Sequence, residues 1–363
     1  MLTADGCRQR RQRLWNGFDS KPVGDFVVLA DPTHLRYFAN FFVDPISQSA
    51  EFGGVLLVHR DGSATAVYDH RLPKSVEQAH VDERKAVIWY DGQSPGRGPR
   101  QLAILDTLRT LGVTRIHDHP LDPLGPAMIR QVADMRRSKD PDELDLLRRC
   151  MLAGDIGQAW ARENVKAGMT EIDVYNGISA AVNRHVGHAT ILYGDFAVSP
   201  GPEKRGGAAT DRVINPGDML ILDFSVMLFG YRSDFTNTLV VGAEPAKEQR
   251  AVYDLCTKAM AEGEDKLKAG VACQEVYDAV RGVFAAADLA DNFPHHAGHG
   301  LGLMHPEAPY LVRRSTETLQ AGDVVTLEPG LYVKGIGGIR VEHNYLITEL
   351  GYERLSNHAI ELK

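Results

Sequence analysis

Three short stretches of the chain recur in the same order roughly a hundred residues further on, and this repetition restricts the fold more than anything else in the sequence. Lys166-Ala167-Gly168 with Val174-Tyr175 returns as Lys268-Ala269-Gly270 with Val276-Tyr277, at a shift of 102. Gly217-Asp218-Met219-Leu220-Ile221-Leu222-Asp223 returns as Gly322-Asp323-Val324-Val325-Thr326-Leu327-Glu328, at a shift of 105. Gly230-Tyr231-Arg232-Ser233-Asp234 returns as Gly338-Ile339-Arg340-Val341-Glu342, at a shift of 108. One such match is common by chance; three in order mark a duplication. Each copy ends one helix at a glycine, opens another, and then runs a turn into a strand that ends in a carboxylate. The expected architecture is two α-α-β halves related by a pseudo-two-fold axis. Their strands pool in one curved antiparallel sheet, whose inner face receives Asp223 and Asp234 from one half and Glu328 and Glu342 from the other.

Four converging carboxylates repel one another, and burying them without partners costs several kcal/mol each. Two divalent metal ions per chain are the economical counter-charge. His299, in Gly298-His299-Gly300-Leu301-Gly302, is the natural fifth ligand because its flanking glycines allow close approach. Four carboxylates and one imidazole suit Mn, Co, Fe or Zn.

A length of 363 residues favours two domains. Asp140-Pro141-Asp142-Glu143 reads as a helix start, with Asp140 as the N-cap, proline in the first turn and glutamate at the third position. The junction is placed there, giving domains 1–139 and 140–363. The first is a small α/β domain. Its strand candidates are Phe26-Val27-Val28-Leu29-Ala30, then Gly54-Val55-Leu56-Leu57-Val58 and Ala64-Thr65-Ala66-Val67-Tyr68, joined through an Asp61-Gly62 turn, then Ala86-Val87-Ile88-Trp89-Tyr90. Residues 91–100 read as a loop, Leu102, Leu105, Leu108 and Leu111 as one face of a helix, and 126–137 as a second helix.

A net charge of −8 offers no general attraction to nucleic acid or anionic lipid. No apolar run has the length of a membrane span, and the basic start Arg8-Gln9-Arg10-Arg11 is not followed by a signal-peptide core, so a cytoplasmic protein is expected. Cys7, Cys150, Cys256 and Cys273 are scattered and read as buried thiols.

From about residue 140 onward the chain resembles the metallopeptidases of the pita-bread fold, which include methionine aminopeptidase, aminopeptidase P, prolidase and creatinase. Asp223 and Asp234 match the family's two aspartate ligands. His295-His296-Ala297-Gly298-His299-Gly300-Leu301-Gly302 matches its H-x-x-G-H-G-x-G segment, Leu327-Glu328-Pro329-Gly330 its glutamate-proline-glycine segment, and Gly338-Ile339-Arg340-Val341-Glu342 its last ligand. The resemblance implies an α+β pita-bread catalytic domain with metal ligands Asp223, Asp234, His299, Glu328 and Glu342. Asp31-Pro32-Thr33-His34-Leu35-Arg36-Tyr37-Phe38 is similar to the creatinase-type N-terminal domain, which implies a homodimer or higher homo-oligomer. It further implies that Glu328 accepts a proton from an attacking water and that Arg340 holds a ligand carboxylate.

Two histidines that peptidases of this family present to substrate are not matched. Their places fall on Gly206 and Pro306, with His305 one residue early. Thr236-Asn237-Thr238 departs from the family's Thr-Arg-Thr, and His343 follows Glu342 where an aspartate is common. His305 and His295 are the remaining candidates for catalytic work. The leading expectation is a dinuclear-metal hydrolase of the aminopeptidase P or prolidase type acting on a small Xaa-Pro peptide. The alternatives are a small-molecule enzyme on the same scaffold, either a creatinase-like C–N hydrolase or a dimethylsulfoniopropionate-type lyase, and a binding relative without turnover.

Overall fold

The computed structural model describes residues 1–18, 24–42, 53–93, 99–196 and 207–363. They form two compact units, Met1–Arg136 and Arg137–Lys363.

The first unit runs α1 (Ala4–Asn16), β1 (Phe26–Leu29), α2 (Pro32–Ala39), β2 (Gly54–His59), β3 (Ala64–Asp69), α3 (Pro73–Glu77), β4 (Glu83–Val87), α4 (Arg100–Thr110) and α5 (Gly125–Met135). Its sheet has the order β1-β2-β3-β4, antiparallel except that β4 lies parallel to β3. Val28, Val55, Leu57 and Val67 pack on Ile104 and Leu108. The basic start of the chain has a structural use. Arg10 Nε donates to the Tyr37 carbonyl at 2.8 Å and Arg11 Nη1 to the Phe38 carbonyl at 2.7 Å, so the two buried guanidiniums satisfy carbonyls in the last turn of α2.

Two sequence expectations need correction here. The strand expected over 86–90 begins earlier, at Glu83, and Ile88 and Tyr90 beyond it are exposed. As an edge strand, β4 needs backbone pairing to one side only and tolerates the charged Glu83-Arg84-Lys85 run. In α4 the buried positions are Ile104 and Leu108, four apart, while Leu102 is exposed. The leucine spacing of three drifts off a face whose true period is 3.6. Within the stretch 91–100, residues 94–98 lie outside the described ones.

The second unit opens with α6 (Pro141–Asn164) and α7 (Glu171–Val186), followed by β5 (Ile191–Asp195), β6 (Met219–Leu228), β7 (Tyr231–Arg232) and β8 (Phe235–Val240). Then come α8 (Lys247–Glu264), α9 (Cys273–Ala285), β9 (Gly298–Gly300), β10 (Glu307–Leu311), β11 (Val324–Leu327), β12 (Gly330–Val333), β13 (Gly337–Arg340), β14 (His343–Ile347) and β15 (Tyr352–Arg354). A capping box at Asp140 and Glu143 starts α6.

The duplication is visible bond by bond. Gly168 and Gly270 both take positive φ, 91° and 90°. Gly168 N donates to the Ile214 carbonyl and Gly270 N to that of Leu319, both at 2.9 Å. Ile214 and Leu319 return the bond to Met169 and Val271. Gly217 and Gly322, also left-handed, donate to Val241 and Ile347, and the Asp218 and Asp323 carboxylates each accept at 2.8 Å from the backbone three residues earlier. The strands, however, do not share one ladder as expected. Among the described residues they form β5-β6-β7 with β8 paired to β6, then β10-β9-β11-β14-β15, and a separate β12-β13 hairpin. Local cross-bonds join the halves instead: Glu342 N donates to the Thr236 carbonyl at 3.0 Å, and Thr238 Oγ1 donates to the Arg340 carbonyl at 2.9 Å.

A Cβ at Gly168 or Gly270 would meet open space, so substitution there strains only the backbone. Gly168→Ala and Gly270→Ala should each destabilise the protein by about 1–2 kcal/mol, and by similar amounts. Urea unfolding of the two variants measures this. A large asymmetry would argue against equivalent turns.

Candidate metal centre

Each acidic side chain comes from a strand end or strand face that the duplication supplies. Asp223 lies within β6, opposite Asp195 of β5 on one side and Thr236 of β8 on the other. Asp234 immediately precedes β8, Glu328 follows β11, and Glu342 sits between β13 and β14. The second half fixes the first. Asn344 grips the Asp234 peptide from both sides, donating to its carbonyl and accepting from its N–H. Thr236 Oγ1 donates to Glu342 Oε2 at 2.6 Å, and Thr326 Oγ1 to Glu328 Oε1 at 3.1 Å.

His299 is held in one tautomer. Its Nδ1 donates to the Gly300 carbonyl at 2.9 Å, which leaves the Nε2 lone pair facing Asp234 Oδ2 at 3.6 Å and Glu328 Oε1 at 3.5 Å. The glycines beside it allow close approach of neighbouring strands. A Cβ at Gly298 would lie 2.0 Å from the Thr326 carbonyl oxygen, and one at Gly300 would lie 2.1 Å from that of Ala308.

The structure therefore brings Asp223, Asp234, His299, Glu328 and Glu342 together beside a cavity of about 340 Å³. Asp234, His299, Glu328 and Glu342 are buried, and Asp223 is partly so. Donor atoms of Asp223, Asp234 and Glu342 lie within 4.8 Å of one another. Burial pushes Asp223 up to about 7, against the pull of Arg340 and with the repulsion of Asp234 and Glu328. Burial and the same neighbouring carboxylates raise Glu342 well above the usual range. Glu328 behaves oppositely: burial would raise it, but His296, His299 and His295 hold it low. Glu342 Oε1 has no hydrogen-bond partner at all. A buried, unpartnered carboxylate oxygen in a nest of oxygen and imidazole donors is what divalent cations satisfy, so the residues present fit such ions.

Arg340 reaches across the site. Its Nη2 donates to Asp223 and, at 3.1 Å, to Asp195, while Nη1 donates to Tyr332 Oη at 2.8 Å. Neither Asp195 nor Tyr332 stood out in the sequence. Asp195 becomes visible only through the pairing of β5 with β6, and Tyr332 only through the hairpin that sets it near Arg340. His296, within the histidine segment, carries no spacing signal of its own, yet its Nδ1 lies 3.2 Å from Glu328 Oε1.

The two histidines expected to do catalytic work are placed differently. His295 Nδ1 donates to the His296 carbonyl at 2.8 Å, and Tyr332 Oη lies 3.3 Å from Nε2. With Arg340 donating to the same hydroxyl, the Tyr332 proton is directed at His295. Both ring nitrogens are thus occupied, and burial lowers the imidazole to about 4. This geometry makes His295 a support for Tyr332 and, through it, for Arg340. His305 Nε2 lies 2.7 Å from Asp234 Oδ2. Burial opposes its protonated form, but the Asp234 bond and charge outweigh that and raise its pKa. Pro306 carries no donor into the cavity, and Gly206 lies outside the described residues.

A family model described as metallopeptidase family M24 matches residues 145–349, more than half of the chain. The chain belongs to metallopeptidase family M24. An uncharacterized peptidase of Staphylococcus aureus is 31% identical over 236 residues, 62% of this chain. One of Staphylococcus saprophyticus is 34% identical over a stretch of the same length. These alignments span 64% and 65% of the relatives, a little under two thirds of their length. Among solved structures, an Xaa-Pro dipeptidase from Bacillus anthracis is 26% identical, with a TM-score of 0.79 over 98% of this chain and 99% of that one. A prolidase from Pyrococcus horikoshii, 23% identical with a TM-score of 0.78 over 98% of this chain and all of its own, shares the fold.

A carboxyl whose pKa is raised by folding stabilises the fold below its unfolded value and loses that contribution as pH rises through the folded one. For Asp223 the window runs from the ordinary 3.8 to about 7. Glu342 acts in the same direction. In EDTA the stability of the wild type relative to Asp223→Asn should fall by more than about 1 kcal/mol between about pH 5 and about pH 8, and Mn²⁺ should restore most of the loss at the higher pH. Urea melts of the two proteins with and without Mn²⁺ test this; a difference that does not change with pH in EDTA would contradict it.

Proposed function

We propose that this chain is a hydrolase that uses two divalent metal ions, manganese among the candidates, to cleave the bond before proline in small Xaa-Pro peptides. The observation that carries the proposal is the unpartnered, buried Glu342 Oε1 in a carboxylate cluster with Asp223 and Asp234 and within the field of Glu328. Full-length likeness to a solved Xaa-Pro dipeptidase supports the substrate class. Asp223, Asp234, Glu342, His299 and Glu328 would hold the ions, which supply polarisation of a carbonyl oxygen and a lowered pKa for water.

The chain's own residues have separable tasks. Glu328, beside the cavity and kept ionised by the surrounding histidines, is placed to take the proton of an attacking water and deliver it to the leaving amine. Arg340 orients Asp223 through its fixed fork, and Tyr332 with His295 orients Arg340 from behind. Thr236 and Thr326 each donate to one oxygen of Glu342 and Glu328 and so fix how these carboxylates are turned. Asp195, also on the cavity wall, offers negative charge suited to a peptide's amino terminus.

A second reading, a small-molecule enzyme on the same scaffold, draws on the turning of His305 toward Asp234 and on Pro306, which together leave fewer free donors for a peptide carbonyl. No described helix is long and apolar enough to cross a membrane. A cytoplasmic homodimer belongs to the proposal, and light scattering of the purified protein tests the dimer.

With Mn²⁺, the protein should hydrolyse Xaa-Pro dipeptides, and Glu328→Gln should lower kcat about 10²–10⁴-fold at Mn²⁺ concentrations that saturate the variant. Turnover of small C–N substrates with none of the Xaa-Pro series would favour the second reading.

A further inference from the structure

We propose that His305 is itself a metal ligand, so that the ion beside Asp234, His299 and Glu328 takes two imidazoles rather than one. The inference rests on the dinuclear reading above and extends it.

Three observations carry it. First, His299 and His305 present Nε2 to the same atom, Asp234 Oδ2, at 3.6 and 2.7 Å, and the donor atoms of the three residues lie within 4.8 Å of one another. Donors sharing one ion at ~2.1 Å and separated by ~90–110° lie roughly 3.0–3.4 Å apart, and the observed separations bracket that range. Second, the two rings are 4.8 Å apart at 86°, close and edge-to-face, a packing that two imidazoles on one ion can adopt. Third, the loop carrying His305 is tied down. Glu307 Oε1 accepts from Lys139 Nζ at 2.7 Å in a buried pair, and Glu307 Oε2 accepts from Met304 N at 3.3 Å. Glu307 also pairs with Gly300 across β9 and β10, and a Cβ at Gly302 would lie 2.5 Å from Glu307 Oε1. Residues 302–307 are therefore a braced bridge between two fixed points. The one-residue displacement of the histidine relative to Pro306 aims it at the ligand cluster instead of further along the cavity.

The chemistry of the centre follows. A second imidazole makes the donor set softer and richer in nitrogen, favouring Zn²⁺, Co²⁺ or Fe²⁺ over Mn²⁺ more strongly than one imidazole among four carboxylates would. His305 is then unavailable as a free donor to substrate.

The test is zinc X-ray absorption on the full-length protein loaded to saturation, with outer-shell scattering used to count imidazoles per chain, beside calorimetric zinc titrations. Wild type should show two imidazoles. His299→Ala and His305→Ala should each show one, and His305→Ala should weaken one zinc site by at least about tenfold. A count of one in wild type, unchanged in His305→Ala, would overturn the inference while leaving the metal centre in place. Absence of any zinc binding would overturn both. The wild-type count decides the matter even where a variant misfolds.

Discussion

Mutual repulsion among four carboxylates sets the terms for the rest of this molecule. Asp223, Asp234, Glu328 and Glu342 are brought together from two halves of one duplicated frame. The protein relieves the repulsion only in part. Arg340 neutralises Asp223, the histidines hold Glu328, and two threonines each satisfy one oxygen. Glu342 keeps one oxygen without any partner. A fold that preserves such a deficit at its centre stores a binding site for cations, because neutralising it internally would have taken only one more basic side chain.

The frame tolerates this because each half supports the other's ligands. Asn344 fixes the Asp234 peptide, and Thr236 orients Glu342. The two halves are thereby joined at the site more than through a continuous sheet, and the repeated turns at Gly168 and Gly270, and at Gly217 and Gly322, hold equivalent strands at equivalent heights. Misplacing one ligand strand in either half should disturb ligands in both.

Much of this was legible in the sequence because duplication and ligand chemistry leave marks at fixed spacing. The five residues expected at the centre, the α6 cap at Asp140 and the hairpin between β2 and β3 could all be read from local pattern. What escaped depends on pairing between distant strands. Asp195 has no motif and matters only because β5 lies beside β6. His295 could be singled out by spacing, but the occupation of its Nε2 depends on Tyr332, 37 positions away. The extent of β4 is hidden in the sequence because an edge strand does not require an apolar run, and the partition of the strands into separate ladders depends on pairing that no alternation of residues announces. Family membership was carried by the motifs around Asp223, His299, Glu328 and Glu342, and His305 and Asp195 lie outside them on the cavity wall.

The most direct measurement is anomalous X-ray diffraction from crystals grown with Mn²⁺. Two peaks about 3.5–4 Å apart are expected, one among Asp223, Asp234 and Glu342 and the other among Asp234, His299, Glu328 and Glu342. An empty cluster at saturating Mn²⁺, with Glu342 Oε1 satisfied by a rearranged basic side chain, would contradict the claim that the carboxylates are gathered to hold metal.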